Sequence, residues 1–456
     1  MEITKVGSTI GANVSMASSI QGKDEATPSV INTQGSTSIA PYNALDLINL
    51  KNQLRISFNQ FLGYNETKPL LPETLNHIQG KFWPSANHEK EKFCKMIWEA
   101  CKDTAHEFNK TLQPRPQGLI PISTTDSKPT VFSTREGLDI VIELNHNGSD
   151  LDITSISFNP GGSSVNVARA LNNFGTPANL FGIVGSGQKG NIFLDLLHKE
   201  GIDTKNFLTV TEDSRFHFCK LYDRKEHWIV SLSPELNKEE LNRFSDLLMK
   251  TCTEHKGEAL ALANNPPSGA SNDYTTNIIR EATNRFGMFV SYDTKLHAVG
   301  KDLLEEVLKS GPSMIKPNIS EYAEIVGEDE DKLRNNKDQM IHLAKELIEK
   351  YGINKILISL DKDGAILVDR KRAAHAIPPK VKVISTIGAG DTGIASIIDR
   401  GKKRNYSLHE PTDEGFISLL SAFVAGGCAT VMKPGTELAT LEERDKVETG
   451  VTVKLI

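Results

Sequence analysis

The chain has 456 residues, of which 38% are hydrophobic and 24% charged, as in ordinary globular proteins with one large domain and an appendage. Its formal net charge of −6 gives no overall basic surface, which argues against nucleic acid or an anionic membrane as a partner. Five cysteines without a C-x-x-C pair argue against a disulfide framework and a zinc site, and favour a reducing, cytoplasmic setting.

The first part of the chain differs in composition from the rest. Residues 1–41 are rich in Ser, Thr, Gly and Asn and lack the apolar segment of a secretory signal, so we predict a disordered tail. Residues 42–128 are interpreted as a helical extension and linker, with amphipathic helices at 45–61 and 89–108. This helical pair either decorates the main domain or forms a module that binds a protein partner.

Short β-branched runs follow Pro129, and several alternate apolar and polar residues as half-exposed strands do. We predict that they form a small sheet or lid from residues 130–133, 139–144, 153–158, 215–222 and 227–232. Strand-then-helix units are interleaved with them and follow them at 179–184 with 191–200, 259–263 with 272–285, and 288–292 with 301–309. Two strands at 355–360 and 364–369, and helices at 337–350 and 413–431, complete the pattern. This alternation predicts a mostly parallel sheet covered on both faces, with ligands at the carboxyl ends of its strands.

The sequence S-T-I-G-A-G-D-T-G-I-A, at residues 385–395, joins an apolar strand to an apolar helix. Gly388, Ala389 and Gly390 form a turn of small residues whose backbone allows close approach of a ligand at a helix start, which predicts an anion site. Asp391 follows in the first helical turn and would act there as a base towards a hydroxyl. The alternative is an ordinary helix N-terminal acid, favoured by capping and the helix dipole.

Other glycine-rich turns and polar pairs have both functional and structural interpretations. The G-S-G-Q-K-G at 185–190 matches a dinucleotide fingerprint, but no acid closes the next strand, so a dehydrogenase is not favoured. The turn P-G-G-S-S-V-N at 160–166 offers Asn166 to sugar hydroxyls, or is simply a tight strand-to-helix turn. Asn318 and Glu321 would lie near a hydrated Mg²⁺ beside phosphates, or form a capping box.

The ordered set of these motifs resembles the PfkB family of carbohydrate kinases, which have the ribokinase-like fold, over roughly residues 130–447. The segments F-N-P-G-G-S-S-V-N-V-A-R-A-L, I-K-P-N-I-S-E and S-T-I-G-A-G-D-T look most like the branch of minor 6-phosphofructokinase, 1-phosphofructokinase and tagatose-6-phosphate kinase. The resemblance implies a three-layer α/β/α fold with a mostly parallel central sheet and a small β-sheet lid at residues 129–456. The N-terminal helical extension would precede it.

The resemblance also implies a role for each motif residue. Asp391 would be the catalytic base, and the amides of Gly388, Ala389 and Gly390 the anion hole. The residues expected to bind the sugar hydroxyls are Asp139, Gly161, Gly162 and Asn166, with Arg215 on the sugar's existing phosphate. Those expected on the nucleotide side are Lys316, Asn318, Ser359, Gly364 and Ser385. Glu321, through water, and Asn318 would face the Mg²⁺.

The implied reaction is ATP- and Mg²⁺-dependent phosphorylation of a ketohexose phosphate such as fructose 6-phosphate, fructose 1-phosphate or tagatose 6-phosphate. A requirement for a monovalent cation such as K⁺ and a homodimer through the lid are further implications of the family. One alternative is a kinase for an unphosphorylated sugar or a nucleoside. Another is a catalytically weak sugar- or nucleotide-binding regulator, suggested by departures from the family pattern at Asn264, Asn265 and Asp361.

Overall fold

The computed structural model describes residues 53, 54, 56, 87–111, 127–147, 150–222, 225–263, 266–296 and 300–456. The predicted tail at 1–41 lies outside the described residues, as do Asn264 and Asn265. Of the predicted helix at 45–61, only residues 53, 54 and 56 are described, and these are helical. Among the described residues, no helix is both long and apolar enough to cross a membrane.

Helices and strands alternate through most of the described chain. The helices are α1 Asn87–Thr111, α2 Ser163–Asn173, α3 Gln188–Lys199, α4 Lys238–Glu254, α5 Asp273–Arg280, α6 Lys301–Lys309, α7 Ile319–Val326, α8 Glu330–Asn335, α9 Lys337–Tyr351, α10 Ala389–Arg404, α11 Asp413–Thr430 and α12 Leu441–Glu448. The strands are β1 Thr130–Phe132, β2 Gly137–Asn147, β3 Asp150–Gly161, β4 Asn179–Gly185, β5 Asn206–Val210, β6 Phe216–Tyr222, β7 Lys225–Val230, β8 Ala259–Ala263, β9 Phe289–Asp293, β10 Met314–Lys316, β11 Lys355–Ser359, β12 Ala365–Asp369, β13 Ala373–Ile377 and β14 Thr452–Leu455.

The central sheet has the strand order β14-β13-β12-β11-β10-β9-β8-β1-β4-β5. Neighbours from β11 to β5 pair in parallel, and those from β11 to β14 pair antiparallel, which confirms the mostly parallel sheet. The run at 130–133 was predicted for the small sheet, but β1 lies in the central sheet between β4 and β8. Its three residues are buried on both faces, so their side-chain alternation could not show which sheet they join.

Alternate side chains of the central strands enter two apolar clusters, one on each face of the sheet. Leu260 and Leu262 of β8 belong to one cluster, and Ala259 and Ala261 to the other. The first cluster receives side chains from α4, α5, α6, α7 and α9, and the second from α2, α3, α10 and α11. Strands buried on both faces explain the near-continuous apolar runs in the sequence, and the result is the expected three-layer arrangement.

A second sheet has the strand order β3-β2-β6-β7. The chain divides into two compact units, of which the larger comprises residues 116–141, 157–219 and 228–456. The smaller comprises residues 1–115, 142–156 and 220–227, and in it α1 buries Phe93, Ile97 and Cys101. Every residue of the candidate site belongs to the larger unit.

Candidate active site

Polar side chains stand where neighbouring parallel strands end. Asp293, Lys316 and Ser359 are the last residues of β9, β10 and β11, which pair in that order. Because the carboxyl ends of parallel strands meet at one edge of a sheet, these side chains lie on the same side of the molecule. Asp391, in the first turn of α10, lines a small cavity together with Asp293. This edge is therefore the candidate site.

The glycine turn before α10 has a backbone that only glycine adopts readily. Gly388 is the N-cap, with φ of 75°, and a Cβ there would lie 2.5 Å from Leu438 Cδ2. Among the described residues no side chain caps this helix, and the Ala389 amide makes a long contact of 3.4 Å to the Thr386 carbonyl oxygen. The amides at the start of α10 can therefore bind an anion.

The Asp391 carboxylate is 7% exposed and is held by a residue far away in the sequence. Asn166 Nδ2 donates to Asp391 Oδ2 at 2.9 Å, and Asn166 Oδ1 accepts from Arg169 Nη1 at 3.2 Å. Since the guanidinium can only donate, this second bond fixes the orientation of the amide. Burial raises the pKa of Asp391; the Lys295 ammonium opposes the shift and the Asp293 carboxylate adds to it. The result is a buried carboxylate beside an anion site, with a pKa moved in the direction that suits a base.

Two lysines flank the buried Asp293. Lys316 Nζ lies 2.9 Å from Asp293 Oδ1, and Lys295 Nζ lies 3.2 Å from Oδ2. Burial alone would raise the pKa of Asp293, but the two ammonium groups hold it below its usual value. Lys316 also lies against the glycine turn, since its Nζ is 3.2 Å from the position that a Cβ on Gly390 would take. A cation and the amides at the start of α10 thus face the same space.

Asp139 lies against the two-glycine turn on the other side of the site. A Cβ on Gly161 would lie 1.7 Å from Asp139 Oδ1, so this approach requires glycine. Gly162, with φ of 113°, is the N-cap of α2, the helix that carries Asn166. His217 Nδ1 lies 2.6 Å from Asp139 Oδ1 and donates to it, because the carboxylate accepts. Burial lowers the pKa of His217, so the ring is neutral near pH 7.

Arg215 precedes β6 and is 7% exposed. Its Nη1 donates to Ser233 Oγ at 3.0 Å, and its carbonyl oxygen accepts from the Leu138 amide. A Cβ on Gly137 would lie 2.8 Å from Arg215 Cγ, so the arginine packs directly on the start of β2. Arg215, the predicted phosphate contact, therefore lies beside Asp139 in the fold, and part of its guanidinium is already hydrogen-bonded to Ser233.

Asn318 and Glu321 form the capping box of α7. Asn318 Oδ1 accepts from the Glu321 amide at 2.8 Å, and Glu321 Oε2 accepts from the Asn318 amide at 3.0 Å. The Glu321 carboxylate also accepts from Thr294 Oγ1 at 2.9 Å and from the Leu296 amide at 3.0 Å. The structural interpretation is thus realised, and Glu321 keeps one lone pair, on Oε1, for a water.

Of the remaining residues predicted for the nucleotide side, Ser359 ends β11, and Gly364 and Ser385 lie in loops of the same unit. Ser359 bridges to Asn318 through the backbone, and Gly364, with φ of 88°, leaves no room for a Cβ because the Ala376 carbonyl oxygen would lie 1.9 Å away. Ser385 Oγ donates to the Gly435 carbonyl oxygen at 2.8 Å, which holds its own loop. Asp361, with φ of 54°, is exposed and pairs with Arg334 Nη2 at 2.8 Å.

The site contains titratable residues that the sequence patterns did not identify. Asp293, Lys295 and His217 are the clearest, together with Glu136, whose pKa burial raises to about 7. A carboxylate that closes a buried strand, as in S-Y-D, was the signal available for Asp293. Among the described residues, no group of three or more His, Cys, Asp or Glu side chains could hold a metal by itself. A cation here would share its ligands with phosphates and water, as Mg²⁺ commonly does.

Comparison with known proteins places these features in a family context. Residues 139–410 match the family described as pfkB family carbohydrate kinase. A 1-phosphofructokinase of Borreliella burgdorferi is 30% identical over 245 residues, which cover 53% of this chain and 74% of that protein.

Solved structures show the same fold at lower sequence identity. The phosphofructokinase-2 of Escherichia coli in complex with potassium has a TM-score of 0.59 and 23% identity, covering 71% of this chain and 98% of that one. A ribokinase of Thermotoga maritima has a TM-score of 0.55 and 17% identity, covering 71% and 99%.

Proposed function

The chain belongs to the pfkB family of carbohydrate kinases, phosphotransferases that act on a sugar hydroxyl, and we propose that it phosphorylates a ketohexose phosphate from ATP. The observation that carries this proposal is the buried Asp391 beside the uncapped start of α10, held by Asn166. The matched 1-phosphofructokinase, with 30% identity, supports a phosphorylated ketohexose as the acceptor class.

Asp391 is proposed to be the base. In a direct in-line transfer, the acceptor hydroxyl gives its proton to Asp391 as its oxygen forms a bond to the γ-phosphorus and the bond to ADP breaks. Asn166 aims the carboxylate by donating to Oδ2, which leaves Oδ1 for the hydroxyl. The raised pKa of Asp391 makes it a stronger base than an exposed aspartate.

The amides of Gly388, Ala389 and Gly390 are proposed to stabilise the charge on the transferring phosphoryl group. Lys316, which lies against Gly390, adds a positive charge on the same side. Preorganised donors of this kind do not have to reorient during the reaction, which is why they contribute strongly to catalysis.

The donor is proposed to lie along Lys316, Asn318, Ser359, Gly364 and Ser385. Bound Mg²⁺ would neutralise charge on the donor phosphates, with Glu321 holding one of its waters and Asn318 close by. Glu321 can take this role because its carboxylate is already oriented by three hydrogen bonds.

The acceptor is proposed to lie along Asp139, Gly161, Gly162 and Asn166. The contact of Asp139 with His217 fixes that carboxylate for the sugar hydroxyls. Arg215 would face the existing phosphate of the acceptor. A second candidate, an unphosphorylated sugar, is favoured by one observation, namely that Arg215 already donates to Ser233.

The test is ATP- and Mg²⁺-dependent phosphoryl transfer to ketohexose phosphates, free sugars and nucleosides, with K⁺ and Na⁺ compared. Asp391→Asn should remove transfer while leaving the fold intact. Asp413→Asn is the matched control, because Asp413 is also a first-turn helix acid but is exposed and lies on α11. If Asp391→Asn retains wild-type turnover, the assignment of the base is wrong. If no acceptor is phosphorylated although ATP or a sugar phosphate binds, the chain is a binding protein and not a kinase.

A further inference from the structure

Arg135 is a half-buried cation that pairs with no anion among the described residues. It lies between β1 and β2, four residues before Asp139. Among the residues that the structure describes, it forms no hydrogen bond or ion pair, and its Nε is buried without an acceptor. Burial lowers the pKa of Arg135, and no carboxylate opposes that shift. Burying an unpaired charge is unfavourable, so this arginine points to an anionic ligand.

The side chain lines an open cavity of about 410 Å³. The other walls are residues 266–270 and Asn272, which follow β8, and residues 300–303, which include the start of α6. A cavity of this size lies in the range that binds small molecules.

The electrostatics of the cavity favour an anion. Gly300, with φ of 81°, is the N-cap of α6, and no side chain in the described part of the chain caps that helix. Its first amides therefore add positive potential to that of Arg135. Lys301 lies at the rim and is paired with Glu324 at 3.4 Å. Asp302 is the one acid among the described residues that line the cavity, and it opposes this field.

The cavity lies at the same edge of the sheet as the candidate base. Strands β9, β8 and β1 are parallel neighbours, and the cavity residues follow their carboxyl ends. Ala263, the last residue of β8, lines the small cavity that contains Asp391. The chain then continues to Pro266, which lines the Arg135 cavity. An anionic group bound to Arg135 would thus lie on the acceptor side of the candidate site.

We propose that Arg135 binds the phosphate monoester of the acceptor and determines the preference for a sugar phosphate over a free sugar. This inference rests on the proposed function. A guanidinium can donate two parallel hydrogen bonds to phosphate oxygens, which gives both affinity and orientation. Arg215 is less suited to this discrimination, because it is buried and donates to Ser233.

The experiment measures binding without ATP by titration calorimetry with fructose 1-phosphate, fructose 6-phosphate, tagatose 6-phosphate, fructose and inorganic phosphate. Arg135→Gln should raise Kd for the best phosphorylated ligand about 10- to 100-fold, as expected for a lost charged contact. Affinities for fructose and for ATP should stay unchanged. Arg285→Gln is the matched control, since Arg285 is exposed and pairs with Glu281.

Stability provides a second readout. Because the Arg135 guanidinium pairs with none of the residues that the structure describes, Arg135→Gln should unfold at the same urea concentration as the wild type or at a higher one. Arg135→Lys keeps the charge but not the two-pronged geometry, and should give an intermediate Kd. If Arg135→Gln fails to fold, Arg135→Lys carries the test, and a wild-type Kd in Arg135→Lys overturns the inference.

The outcomes separate this inference from the proposed function. If the wild type phosphorylates a sugar phosphate and Arg135→Gln has the same KM and Kd, the inference alone is overturned. If sugar phosphates bind through Arg135 but are never phosphorylated, the proposed function alone is wrong. If the wild type binds no phosphorylated ligand, both the inference and the proposed function are wrong.

Discussion

Burial and neighbouring charges together set the pH range in which Asp391 is ionised. Lys295, on the loop after β9, and Lys316, on β10, lower its pKa, while burial and Asp293 raise it. Lys295→Met removes one of the lowering charges, so we expect the acidic limb of the kcat/KM profile to move to higher pH. Lys295→Arg should restore the wild-type limb.

The pH profile of kcat/KM for the best acceptor is the measurement. Lys309→Met serves as control, because Lys309 is exposed and pairs with Glu305 and Glu306 on its own helix. An unmoved acidic limb in Lys295→Met would show that Lys295 does not act on the base.

Glu136 couples stability to pH in the opposite direction from a salt-bridged acid. Its side chain is 4% exposed, accepts a hydrogen bond from the Ile183 amide, and has its pKa raised by burial from 4.5 to about 7. A raised folded-state pKa means that its contribution to stability is present below pH 4.5 and is lost as the pH rises through 7.

Glu136→Gln stays neutral and keeps the acceptor, so at pH 5 it should exceed the wild type in stability by less than about 1 kcal/mol. At pH 8 it should be more stable by about 3 kcal/mol in the free energy of unfolding. Urea unfolding at the two pH values measures this difference. The same difference at both values would contradict the buried, titrating carboxyl.

At the scale of elements, α7 shows how one motif can serve both structure and function. Its capping box joins Asn318 and Glu321, and α12 has an equivalent box of Thr440 and Glu443. Either Asn318→Ala or Thr440→Ala should lower the free energy of unfolding by about 1 kcal/mol, since each removes one cap. Only Asn318→Ala should also raise the KM for ATP. Equal KM values in the two variants would leave Asn318 with the structural role alone.

Helices and strands with longer, well-bounded apolar patterns were predicted more accurately from the sequence than very short ones. The helix predicted at 301–309 and the strand at 259–263 have the observed limits, because each apolar pattern is bounded by polar or glycine residues. The run at 130–133 was placed in the wrong sheet, since a three-residue strand buried on both faces carries no alternation that could identify its partners. Pairing is decided there by tertiary contacts with β4 and β8.

At the scale of the whole molecule, glycine turns were easier to predict than charge clusters. Gly161 and Gly388 stand in short motifs because the close approaches to Asp139 and Leu438 require glycine at those positions. Asp293 and Lys295 have no such local signature, since their importance comes from Lys316 and Asp391 on other elements. Residue patterns therefore predicted the turns of the candidate site but not its network of charges.

The bond between Asn166 and Asp391 joins positions 225 residues apart in the chain. Contacts with such a large sequence separation carry a high loop-closure entropy and slow the search for the folded state. After dilution from denaturant, helical circular dichroism should return first and phosphoryl transfer last. Stopped-flow dichroism and timed activity assays on one refolding sample would measure this lag. Simultaneous recovery of both signals would mean that the two halves of the site meet early in folding.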